Sequence, residues 1–157
     1  MGGDGDGISA EEQDALLREI GIALLEAVPT DWTEIRFVEA ALVDINYPTL
    51  DVVRAEGVDD WAPPPESASR MLGDLRRGMY VPGRGTWYTA TIVITPPGNH
   101  DVDFDYDAEP MFPFAVTPAS YALDLEYFPR DDAAIPPWLE VKLAEAADLE
   151  LTDDTFP

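Results

Sequence analysis

Asp101, Asp103, Asp105 and Asp107 occupy every second position of Asp-Val-Asp-Phe-Asp-Tyr-Asp. At strand period this spacing sets four carboxylates on one face and Val102, Phe104 and Tyr106 on the other. Burying such a row without cations would cost several kcal/mol or more per carboxylate. The stripe must therefore meet water, a metal ion or a basic partner. Trp87 and Glu109 flank it. Trp87 shares the parity of Thr89 and Thr91, which sets it on the carboxylate side, where an aromatic beside acids suits a cationic partner. The other reading of the same residue is that it packs under a neighbouring helix or loop. The candidate binding residues are Trp87, Asp101, Asp103, Asp105, Asp107 and Glu109.

Other chemistries find less support. Asp103-x-Asp105-x-Asp107 has the opening spacing of a calcium loop, but such a loop needs glycine at its sixth position and glutamate at its twelfth. Ala108 and Phe114 stand there instead. A carboxylate-based metal-binding module or metal-dependent hydrolase on the Asp101–Asp107 stripe is the alternative to partner binding. With 32 acidic residues a glycosidase pair is available in number, yet nothing selects two of them. His100, the only histidine, falls in a turn and reads as solvated rather than as a general base. No Gly-x-Ser-x-Gly elbow is present, and Gly83-x-Gly85 precedes a strand and reads as a turn. The absence of cysteine removes disulfides, thiolate metal sites and a cysteine nucleophile together. The expectation is a protein that is not an enzyme, with no catalytic residue, bound metal or cofactor.

Charge narrows the partners. Nine basic residues against 32 acidic give a formal charge of −23. Direct nucleic-acid binding needs phosphate contacts from Lys and Arg, and anionic membranes need the same. Such acidity serves solubility, or it steers a strongly basic protein into place. No apolar run approaches the roughly 20 residues of a membrane span. Met-Gly-Gly-Asp-Gly-Asp-Gly has no basic or apolar secretory character, and Asp6 breaks the myristoylation pattern. The expected location is cytoplasmic. The oligomeric state is left open.

The elements that must position the stripe follow from periodicity. Residues 1–7 read as a flexible lead, 8–150 as one domain and 151–157 as an acidic tail. Ser9 and Glu12 make a capping box for a helix to about Ala27. Period two runs from Ile35 to Ile45, Asn46 to Thr49 reads as a turn, and a weaker strand spans Leu50 to Ala55. Gly57 to Pro65 reads as a loop. A helix opens at Pro65-Glu66 and ends near Arg76-Arg77-Gly78. Tyr88, Ala90, Ile92 and Ile94 share one face of a strand, and Pro96-Pro97-Gly98-Asn99 turns it into the carboxylate run. Thr117-Pro118 starts a third helix, and a fourth runs from Pro137 or Trp138 to about Ala147. The order α-β-β-α-β-β-α-α predicts an α+β domain. Its mainly antiparallel sheet of about four strands carries the helices on one side.

Several short motifs occur together in order. Leu75-Arg76-Arg77, Gly85-Thr86-Trp87-Tyr88 and Asp103-Phe104-Asp105-Tyr106-Asp107 resemble the YezG-like family of bacterial immunity proteins, or antitoxins. Tyr121-Ala122-x-Asp124-Leu125-x-x-Phe128-Pro129-Arg130 and Ile135-Pro136-Pro137-Trp138-Leu139 resemble its C-terminal part. The resemblance spans roughly residues 10–145 and is weakest over 46–65. It implies a non-enzymatic α+β protein that binds and neutralises a cognate toxin domain, often a nuclease. It supplies no catalytic residues and no settled set of toxin contacts. A nuclease groove is basic because it binds phosphate, and an ordered carboxylate stripe could occupy it.

Overall fold

The computed structural model describes residues 7–57 and 59–154; residues 1–6 of the lead and 155–157 of the tail lie outside them. Helix α1 is Ala10–Glu26. Ser9 Oγ accepts from the Glu12 amide at 3.0 Å, and Glu12 returns a contact to the Ser9 amide at 2.9 Å, so the capping box closes. Strands β1 (Trp32–Leu42), β2 (Ile45–Arg54) and β3 (Asp59–Trp61) follow, then α2 (Glu66–Gly78). Strands β4 (Thr89–Thr95) and β5 (Asn99–Asp105) form a hairpin, and α3 (Pro118–Tyr127) and α4 (Pro137–Asp154) complete the fold.

The sheet is antiparallel, in the order β3-β2-β1-β4-β5. It has five strands, because Asp59–Trp61 pairs with Asp51 to Val53 within the segment expected to be a loop. The first hairpin turns at Val43-Asp44 rather than at Asn46 to Thr49. Pro48 lies inside β2 opposite Glu39, where the far side of β2 has no β3 partner, a position that tolerates a missing N–H. His100 belongs to β5 and pairs with Ile94, so it is a strand residue. Helix α4 continues through the first residues assigned to the acidic tail, to Asp154.

Two apolar clusters hold the domain together. In the first, α1 and α2 cover one face of the sheet, with Ile20, Leu24, Leu72 and Leu75 against Ile35, Phe37, Leu50 and Ile92. Burying side chains of this size stabilises by about 1.5–3 kcal/mol each. The second gathers Tyr121 and Leu139 from α3 and α4 around Leu42, Ile45 and Tyr88, at the Leu42 end of the sheet. Leu42 and Ile45 carry the parity of Ala40, opposite to that of Phe37, so the helices are not all on one side.

Candidate partner-binding face

Pairing aligns three rows across the sheet on the side away from α1 and α2. Tyr47, Ala40, Thr89 and Asp105 form the first; Thr49, Val38, Thr91 and Asp103 the second; Asp51, Arg36, Val93 and Asp101 the third. Arg36, Asp51, Asp101 and Asp103 are exposed and Val38, Thr91 and Val93 half-buried, so the second and third rows meet solvent, whereas Ala40 in the first row is buried beside the second cluster. Threonine and valine suit such a pleated surface by their branching. The carboxylate row ends each line, on the edge strand β5. Asp101 and Asp103 have no ion-pair partner among the described residues.

The remaining predicted residues have duties of their own. Asp105 is half-buried, and its Oδ1 accepts from the Asp107 and Ala108 amides at 3.0 Å each, turning the chain out of β5. Asp107 stands 3.9 Å from the Arg130 guanidinium, and Glu109 lies 3.6 Å from Lys142 Nζ. Beyond Glu109 the loop carries an aromatic group onto the end of the same face. Phe114 meets Tyr47 edge-on at 5.8 Å, Phe112 lies 5.7 Å from Phe114, and Met111 is 82% exposed. Met111 and Phe114 are thus exposed apolar groups beyond the carboxylate row.

Trp87 is not among them. Its side chain is 0% exposed and packs in the first cluster, 5.5 Å from the Phe104 ring. The cause is a break in alternation. The Tyr88 amide donates to the Asp105 carbonyl at 2.8 Å while Thr89 is also paired with Asp105, the two-against-one count of a β-bulge. The bulge turns Trp87 under the helices and sends Tyr88 to the second cluster, not to the face of Ala90 and Ile92. A fully buried tryptophan offers a partner no surface.

The carboxylates stand side by side along a strand, with alternate residues about 7 Å apart. Among the described residues no group of three or more His, Asp or Glu side chains converges as a metal ion would require.

A second place went unread in the sequence. Glu39 has the parity of Ile35, Phe37 and Ala41, and an acid within that apolar alternation was the available signal. It is 2% exposed, and Ser69 Oγ donates to its carboxylate at 2.7 Å. Burial pushes its pKa up to about 7, against the lowering effects of the Ser69 and Asn46 hydrogen bonds and the Arg76 charge. It borders a cleft of about 650 Å³ that Asn46, Arg70, Arg76, Arg77 and Tyr127 also line. No His or Lys lines this cleft to relay a proton, and the hydrogen bond from Ser69 satisfies a buried acid.

Arg76 is engaged with Asp124 at 2.6 and 3.0 Å and donates from Nε to the Trp87 carbonyl at 2.7 Å. Arg130 donates to the Thr86, Tyr106 and Ala134 carbonyls, and its guanidinium lies 4.9 Å from the Tyr88 ring. The residues that carry the family resemblance therefore assemble mainly in the interior. No family model matches the chain, and no curated protein matches it either.

Proposed function

We propose that this chain is an immunity protein, or antitoxin, that binds and neutralises a cognate toxin domain by covering its basic substrate-binding surface. A nuclease is the toxin class that fits best, because its phosphate-binding groove must be basic. The observation that carries the reading is the open sheet face. It ends in the exposed carboxylates of Asp101 and Asp103, which have no ion-pair partner among the described residues, and carries Tyr47 with Phe114 against it at one end. Apolar anchors beside a charged rim are the composition of a protein-binding surface. The −23 charge adds long-range attraction for a basic partner. The motif resemblance to YezG-like immunity proteins supports the same reading.

In this mechanism the carboxylates speed encounter, and the aromatic loop sets the lifetime of the complex. Binding denies the toxin its substrate and requires no chemistry from the immunity protein. The test is recovery of the tagged chain from the cells that make it, at low and at high salt. A basic toxin domain recovered at low salt and lost as salt rises supports the reading. Recovery of no toxin from cells that express one would remove it.

A further inference from the structure

Strand β5 is an edge, since its one neighbour in the sheet among the described residues is β4. The Tyr88 amide donates to the Asp105 carbonyl, so the backbone of Asp105 is turned toward β4. Main-chain direction alternates along an antiparallel strand, so Asp103 and Asp101 point the same way, while Phe104 and Val102 turn their N–H and C=O groups outward. Such groups form a template for another strand.

The two sides of this edge differ in kind. On the open face stand Asp101, Asp103 and Asp105. On the other, α1 runs alongside and forms a shallow, mainly apolar groove of about 190 Å³, with Leu17, Ile22 and Leu25 facing Ile94 and Val102. Arg18 and His100 are also in its lining, which leaves the apolar positions of a docked strand, not its basic ones, to this side. Ile22 is 51% and Leu25 43% exposed, large for leucine and isoleucine on a helix that packs on a sheet. A second copy of the chain is a poor occupant. Pairing β5 with β5 would bring aspartates against aspartates, and like charges across a strand pair destabilise it.

We infer that β5 is a docking edge for an extended segment of the basic partner, a strand of alternating basic and apolar residues that extends the sheet by one strand. The basic side chains lie over Asp101 and Asp103, and the apolar ones over Ile22, Leu25 and Val102. Main-chain bonds to Val102 and Phe104 set the register, and the side-chain alternation sets the specificity. This deepens the partner-binding reading and rests on it.

The probe is a short synthetic peptide of alternating valine and lysine, with a control of identical composition in which all lysines precede all valines. Residue-resolved amide exchange on the full chain reads the outcome. The alternating peptide should slow exchange at Val102 and Phe104 and shift the Ile22 and Leu25 methyl resonances; the control should do neither. Asp101→Lys with Asp103→Lys should weaken the alternating peptide roughly tenfold or more. Asp103→Asn, which keeps the side-chain shape, should weaken it less. No binding, or equal protection by both peptides, overturns the inference. Binding that leaves Val102 and Phe104 exchanging freely also overturns it, yet spares the wider reading, which the salt-graded recovery judges separately.

Discussion

Arg76 and Asp124, 48 positions apart, meet as a bidentate pair with both side chains about 95% buried or more. The same guanidinium lies 5.1 Å from the Phe128 ring and donates to the Trp87 carbonyl, so one side chain ties α2, α3 and the entry to β4 together. Removing one partner strands the other charge in the interior. Arg76→Met should cost about 3–5 kcal/mol in urea unfolding. Adding Asp124→Leu to it should restore part of the loss, because the double variant leaves no unpaired charge. A double variant no more stable than Arg76→Met would show that the pair is not the source of the cost.

Glu39 makes stability depend on pH in a sense opposite to that of a salt-bridged acid. The native state holds its proton up to about pH 7, whereas an ordinary glutamate releases it near 4.5. Between those values the folded state binds the additional proton, so this contribution is fully present below pH 4.5 and is lost as pH rises through 7. Glu39→Gln keeps an acceptor for Ser69 and carries no charge. The variant should gain on the native protein by about 2–3 kcal/mol between pH 5 and pH 8, read as the difference in unfolding free energy. A constant difference across that range would contradict the burial of a titrating group.

Neighbouring aspartates of the stripe should separate into two kinds. Asp105 satisfies two backbone amides, so Asp105→Ala should cost roughly 1 kcal/mol of stability. Asp103 is exposed and has no ion-pair partner among the described residues, so Asp103→Ala should stay within about 0.5 kcal/mol of the native value. It should instead slow association with a basic partner while leaving dissociation nearly unchanged. Urea midpoints for both variants and stopped-flow association for Asp103→Ala distinguish these roles. Equal stability losses would contradict the assignment.

The parts of the fold that were legible in the sequence rest on neighbours. The Ser9–Glu12 capping box, the helix ending at Gly78 and the alternation of Val102 and Phe104 are local patterns, and each is present. What was missed depends on distant partners. Pro48 looked like a turn residue, but its pairing with Glu39 across the hairpin overrides that local signal. Trp87 was set on the wrong side because the bulge exists only through Asp105, well along the chain. Nothing near Arg76 names Asp124 as its partner. Glu39 alone gave a readable sign, an acid repeating the parity of Phe37, and its meaning needed the helices that bury it.

Two glycines, both sites for a single added methyl, should respond with opposite signs. Gly21 sits within α1 beside the groove, and a Cβ there would meet nothing within 4 Å. Gly21→Ala should raise stability by about 0.5–1 kcal/mol, through helix propensity and a less flexible unfolded chain. Gly85 has φ +98, which L side chains rarely adopt, and a Cβ there would collide with the Arg130 guanidine group. Arg130 would have to move, and with it its bonds to the Thr86 and Tyr106 carbonyls at 3.0 and 2.6 Å. Gly85→Ala should therefore destabilise by more than Gly21→Ala stabilises, with roughly 1–3 kcal/mol from backbone strain alone. Thermal or urea unfolding of the two single variants reads both. A neutral Gly85→Ala would mean that the Arg130 cluster gives way easily, and that the tight approach beside it does not constrain the fold.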